Sequence, residues 1–156
     1  MEIYVENAEA MQHLGLNIAP LLSGGDIVYL LGELGTGKTT LVKGIAKGMG
    51  YTGKVTSPTF TIMNIYPADP DIYHFDFYRL GKNDLSDLGL DDYLAGDGVT
   101  LIEWPEIGQG ILPQEALIIN INLVADDYDL GRNVDITAQG SYFEQKIEEI
   151  KKACLF

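Results

Sequence analysis

An α/β fold is what the sequence predicts: a mainly parallel central sheet with antiparallel edge strands, flanked by helices. Three observations carry that expectation. Asp26–Leu31 holds a continuous apolar run of strand length, which suits a strand buried on both faces of a parallel sheet. Strands and helices alternate in the first half of the chain, whereas strands dominate the second. The length, 156 residues, is that of one domain.

Residues 2–5 read as a short strand. Asn7 follows as a helix N-cap, and Ala10, Met11, Leu14, Ile18 and Leu21–Leu22 recur at roughly helical spacing. After the buried strand and a glycine-rich loop, Lys38–Met49 reads as a helix closed by Gly50. Segments 59–66 and 71–78 are β-branched and aromatic, with Pro67 and Pro70 between them, so they form a hairpin or two adjacent strands. Residues 83–94 carry leucines at helical spacing on an acidic background. Val99–Glu103 is a second buried strand, ended by Pro105. Segments 116–124 and 133–138 read as strands, and Tyr142–Lys151 as a terminal helix.

Ten basic residues against 23 acidic ones leave a net charge of −13. Such a surface does not suit a phosphate backbone, whose binding depends on clustered Lys and Arg. Direct, strong nucleic-acid binding is therefore not expected, although a partner could hold the nucleic acid. The single cysteine, Cys154, excludes an internal disulfide and a multi-cysteine metal site, and fits a reducing compartment. The N-terminal stretch has acids and no basic region ahead of an apolar one, unlike a signal peptide, and no apolar run has the length of a membrane span. A cytoplasmic protein without membrane contact is the expectation.

The strongest motif is Gly32-Glu33-Leu34-Gly35-Thr36-Gly37-Lys38-Thr39, which satisfies G-x-x-x-x-G-K-[ST] at every fixed position. Glycines let the backbone turn so that its N–H groups converge on an anion, and the helix starting at Lys38 adds its positive dipole end. Lys38 is placed to reach the β- and γ-phosphates of a nucleotide and the Thr39 hydroxyl to ligate Mg²⁺, with Thr40 a second hydroxyl toward the α-phosphate. Between a buried strand and an apolar-faced helix, this loop makes the fold P-loop NTPase-like.

Such a site needs a carboxylate for Mg²⁺ at the end of a neighbouring strand. Glu103 ends the strand 99–103, and Asp76 lies among aromatics in His74-Phe75-Asp76-Phe77. For each there is a plainer alternative: a strand-end surface acid for Glu103, and an ion pair with Arg79 for Asp76. The roles of the two acids are not separated by sequence. His74 shares a face with Asp76 and fits a structural histidine better than a ligand. Ser57-Pro58-Thr59-Phe60-Thr61 is either a switch segment whose hydroxyls meet the γ-phosphate and metal or a Ser-Pro turn opening a strand.

Taken in order and spacing, GELGTGKTT, VTSPTFTIMNIY, IYHFDFYRL, LGLDDYL and LIEWPE resemble the bacterial TsaE family, from about residue 3 to residue 140. The resemblance implies a small ATPase, using ATP and Mg²⁺, in the formation of threonylcarbamoyladenosine beside the anticodon of tRNAs reading codons that begin with A. It implies two protein partners, TsaB and the transferase TsaD, whose heterodimer ATP hydrolysis would reset between turnovers. By position, Gly32, Leu34, Gly35, Thr36, Gly37, Lys38, Thr39 and Thr40 would hold the nucleotide, and Thr39 and Glu103 the metal. Lys38, Asp76 and Glu103 would be catalytic, with Asp76 the catalytic or switch acid, and Ser57 and Thr59 would belong to the first switch. Asn7, at a helix start where the family often has Thr or an acid, is a candidate for adenine or ribose contact. Arg132 resembles a late family arginine near the nucleotide, with a surface ion pair as the alternative. Trp104 reads as a packing or partner contact. Thr36 stands where Ala is common, which is harmless if its side chain points outward.

The principal rival is a small-metabolite P-loop kinase. Such enzymes carry several arginines on a mobile lid, and this chain has two arginines, Arg79 and Arg132. A GTPase-like switch would want Asp-x-x-Gly, but Asp76 is followed by Phe77-Tyr78-Arg79, and no Asn-Lys-x-Asp guanine reader is present.

Overall fold

Seven strands hydrogen-bond into one sheet. The structure, a computed structural model, describes residues 1–154 and all of their side chains except that of Lys82. In chain order the elements are β1 (Glu2–Val5), α1 (Ala8–Ile18), β2 (Ile27–Leu31), α2 (Lys38–Gly48), β3 (Met63–Tyr66), β4 (Ile72–Asp76), α3 (Leu90–Leu94), β5 (Val99–Glu103), β6 (Ala116–Val124), β7 (Asp127–Gln139) and α4 (Ser141–Cys154). The spatial order is β1-β7-β6-β2-β5-β4-β3. The pairs β6–β2, β2–β5 and β5–β4 are parallel, whereas β1–β7, β7–β6 and β3–β4 are antiparallel. The α/β expectation, parallel at the centre and antiparallel at the edges, is what the molecule shows.

Each face of the sheet packs its own apolar layer. On one side Val28, Leu30, Leu101, Leu117, Ile119 and Ile136 meet the buried faces of α1, α2 and α4. On the other, Tyr29, Phe75 and Ile102 pack with Phe77, Leu85 and Leu90 under the short segments after β4. The continuous apolar character of β2 and β5 follows from burial on both sides. Helices α1 and α2 approach backbone to backbone: a Cβ added at Gly15 would lie 2.5 Å from the Leu41 carbonyl oxygen, and one at Gly44 2.1 Å from that of Gln12. This close approach sets the start of α2, and hence Lys38, against the rest of the core.

Asn7 caps α1 through its Oδ1, which accepts from the Ala10 amide at 2.9 Å. Replacing Asn7 by alanine removes that acceptor and is expected to cost about 1 kcal/mol. Thermal denaturation would read this as a fall of about 2–4 °C in Tm.

Three elements differ from expectation. Residues 83–94 are not one helix: a 3₁₀ turn over Lys82–Asp87 and the five-residue α3 are separated at Gly89, which takes a left-handed φ of 64°. The leucine spacing instead seats Leu85 and Leu90 in the second apolar layer. The strand expected from residue 59 begins only at Met63, because Ile62 has a φ of 69°. The last strand starts earlier than the 133–138 segment, extending back to Asp127 through a turn at Ala125–Asp126. Its exposed start, Asp127-Tyr128-Asp129-Leu130, alternates for only four residues before Gly131-Arg132-Asn133 breaks the pattern.

Candidate nucleotide-binding site

The loop between β2 and α2 is shaped by glycines with left-handed backbone: Gly32 has a φ of 143° and Gly37, immediately before α2, one of 114°. A side chain at Gly32 would also collide, its Cβ lying 2.6 Å from both the Ile121 carbonyl oxygen and Thr36 Oγ1. The Thr36 side chain points inward. It is buried, and its hydroxyl donates to the Glu33 carbonyl at 3.0 Å, bracing the loop from within.

Lys38 is buried at the first position of α2, with its ammonium folded back on the loop, donating to the carbonyls of Gly32 and of Glu33, the latter at 3.0 Å. It also lies over the Trp104 ring, 4.7 Å from the centroid. Burial holds its pKa below the usual lysine value, against the opposing pull of Glu103, Asp76, Glu106 and Glu33. A polyanion in the cleft would give this desolvated cation the direct ion pair that these acids do not make with it.

The two acids come together through strand register. Asp76 ends β4 and Glu103 ends β5, and the parallel pairing sets them directly side by side. Both are almost wholly buried. Asp76 accepts from the Tyr78 amide at 2.9 Å through Oδ1 and from the Thr59 hydroxyl at 2.8 Å through Oδ2. Thr59 in turn shares a hydrogen bond of 2.7 Å with the Ser57 hydroxyl. The alternative pairing of Asp76 with Arg79 is not found; Arg79 lies over the Phe60 ring, 4.0 Å from its centroid. Glu103 is likewise no surface acid, because its Oε2 is 2.9 Å from Nε2 of the fully buried His74. Trp104 continues from Glu103 with a φ of 58°, rare for a large side chain, and its ring packs on Tyr78 at 4.9 Å.

Leu34, Gly35, Thr36, Gly37, Lys38, Thr39, Thr40, Ser57, Thr59, Asp76, Glu103 and Trp104 line one cleft of about 250 Å³. A second cleft, of about 350 Å³, continues from it across Gly35–Gly37 and Thr40, and contains Asn7, Met11, Tyr128 and Arg132. Arg132 makes none of the ion pairs among the described residues. Its guanidinium donates to the Thr36 carbonyl at 3.0 Å and to those of Gly35 at 3.5 Å and Tyr128 at 3.4 Å, so it ties β7 to the phosphate loop. Tyr128 adds a bond of its own, its hydroxyl donating to the Leu34 carbonyl at 3.1 Å. Neither Tyr128 nor Tyr66, which holds His74 from behind, stands out in the sequence. An aromatic 94 residues from the loop it touches has no local pattern to betray it.

The oxygen donors of this cleft suit a hard cation: the Thr39 hydroxyl and the Asp76 and Glu103 carboxylates. Among the described residues no cluster of three or more His, Cys, Asp or Glu side chains forms a complete metal cage. Among the same residues no helix is long and apolar enough to cross a membrane.

A family model described as threonylcarbamoyl adenosine biosynthesis protein TsaE matches residues 5–134. A Haemophilus influenzae protein named tRNA threonylcarbamoyladenosine biosynthesis protein TsaE is 42% identical over 143 residues, covering 87% of this chain and 88% of the relative. A Bacillus subtilis protein of the same name is 41% identical over 147 residues, covering 94% and 90%. The crystal structure of Bacillus subtilis YdiB superposes with a TM-score of 0.82 at 36% identity, over 97% of this chain and 94% of that one. With relatives of that name matched over nearly their whole length, the chain belongs to the TsaE family of tRNA threonylcarbamoyladenosine biosynthesis proteins.

Proposed function

We propose that this protein is a Mg²⁺-dependent ATPase that acts with the TsaB–TsaD heterodimer in forming threonylcarbamoyladenosine on tRNA, its hydrolysis resetting that complex between turnovers. The observation that carries this reading is the convergence of Lys38, Thr39, Asp76 and Glu103 on one cleft beside the phosphate loop. The triphosphate lies along residues 32–40, and the nucleoside extends into the second cleft toward Asn7 and Arg132. Lys38 exchanges its two carbonyl contacts for β- and γ-phosphate oxygens. Thr39 and Glu103 would hold Mg²⁺, which would supply positive charge to offset that on those oxygens. Asp76, fixed by Thr59 and Tyr78, orients the attacking water or senses the γ-phosphate.

Several features support a partner-gated enzyme. Phe60, 79% exposed, follows the cleft residue Thr59 directly, and the half-open ring of Tyr78 packs on the cleft residue Trp104, so exposed aromatic surface adjoins residues of the cleft, where a protein could dock. Both arginines are engaged, one over Phe60 and the other on loop carbonyls, leaving neither as an arginine finger. With a net charge of −13, the protein leaves the tRNA to its partners.

The test is Mg²⁺-dependent ATP turnover by the purified protein, alone and with TsaB–TsaD. Slow turnover alone, rising at least tenfold with the pair, is expected. Turnover indifferent to the pair but stimulated by a small phosphate acceptor would replace this reading with that of a metabolite kinase.

A further inference from the structure

The segment 56–59 is fastened at both ends, and the second fastening leads to Glu103. At its far end Thr59 bonds Asp76. At its near end the Thr56 carbonyl lies 3.1 Å from the Tyr66 hydroxyl, which is 2.9 Å from Nδ1 of His74, whose Nε2 is 2.9 Å from Glu103 Oε2. Tyr66 and His74 are buried, and β3 and β4 hold them on neighbouring antiparallel strands. Both ring nitrogens of His74 therefore have a partner, Tyr66 at Nδ1 and Glu103 at Nε2. Asn64 reinforces the arrangement, its amide donating to the Thr56 carbonyl at 3.2 Å and its Oδ1 accepting from the Thr61 hydroxyl at 3.0 Å.

We propose that Tyr66 and His74 are positioning residues, a buried hydrogen-bonded line through which the conformation of segment 56–59 sets the Glu103 carboxylate for metal-dependent nucleotide binding. Neither touches the nucleotide cleft. Both carboxylates thereby answer to one segment, Asp76 through Thr59 and Glu103 through Tyr66 and His74. The segment and the metal acid shift together or not at all. The inference rests on the nucleotide-binding reading above.

The test uses Tyr66→Phe, which keeps the ring and its packing on Tyr51 while deleting the hydroxyl. Trp104, the only tryptophan, sits beside Glu103 and reports binding by its fluorescence. The expected result is an at least fivefold rise in the Mg²⁺ concentration giving half the ATP-dependent signal. Metal-free ATP affinity should stay within twofold. Hydrogen exchange should show residues 56–61 less protected by Mg·ATP than in the unaltered protein. Tyr51→Phe, which deletes a neighbouring hydroxyl that, among the described residues, bonds only the Lys54 carbonyl, should change none of these. Should Tyr66→Phe not fold, Asn64→Ala, at a partly exposed position, should shift the Mg²⁺ requirement in the same direction by a smaller factor. An unchanged Mg²⁺ requirement in a folded Tyr66→Phe, or an equal loss of affinity with and without metal, would overturn the proposal. Absence of any Mg·ATP signal in the unaltered protein would instead remove the nucleotide-binding reading beneath it.

Discussion

Replacing Lys38 by alanine is expected to weaken Mg·ATP binding by at least 100-fold. The ammonium is buried beside the phosphate loop, and in the structure its hydrogen bonds end on two backbone carbonyls of that loop. With a triphosphate present, those donors turn to charged oxygens, and hydrogen bonds involving charged groups contribute about 1.5–3 kcal/mol each. Losing two of them amounts to roughly two to four decades in Kd. The fold should survive the change, because burial already disfavours the charge, as the lowered pKa shows. Isothermal titration with Mg·ATP, together with a thermal melt, separates the two effects. Unchanged affinity in a folded Lys38→Ala would remove the phosphate-loop assignment.

Much of this site could be read in advance because its parts are local in sequence. The loop 32–39 compresses a strand end, a glycine turn and a helix start into eight residues, so its chemistry shows as spelling. Asp76 and Glu103 were visible one at a time, as acids at the ends of apolar strands. Their adjacency was not, since it depends on β4 pairing in parallel with β5 in one particular register. The same limit hid the relation of Arg132 to Thr36 and of Tyr128 to Leu34, both of which depend on the order β7-β6-β2. Periodicity misled at residues 83–94, where leucine spacing matched a helix but Gly89 broke it. It was too short to read over 127–130, where a four-residue alternation of exposed side chains stops at Gly131. The side chain of Thr36 faces inward because a threonine hydroxyl can satisfy itself on the Glu33 carbonyl, an option that alanine lacks.

Glu103→Gln is expected to separate metal from nucleotide. Glutamine keeps the length and shape of glutamate, and its amide oxygen can still accept from His74 Nε2, so the buried partner at 2.9 Å is not orphaned. What disappears is a negative charge within the cleft. Two unit charges about 4 Å apart interact by about 4 kcal/mol at an effective dielectric constant near 20, and a divalent ion by more, before its own solvation is counted. The Mg²⁺ concentration for half-maximal binding should therefore rise by at least tenfold, and turnover with TsaB–TsaD should fall by about two orders of magnitude. Affinity for ATP without metal should hold or improve, because a carboxylate that repels phosphate has been neutralised. Asp76→Asn should behave differently. Asp76 is engaged by Thr59 and Tyr78 rather than by the Glu103–His74 pair, so its loss should reduce turnover while moving the Mg²⁺ requirement less. Magnesium titrations of Trp104 fluorescence at fixed ATP, set beside steady-state turnover, compare the two variants directly. If Glu103→Gln lost metal-free and metal-dependent binding in parallel, its carboxylate would be holding the cleft in shape. If Asp76→Asn instead carried the larger shift in Mg²⁺, the metal would belong to β4, and Glu103, tied to His74, would be the acid that orders the water.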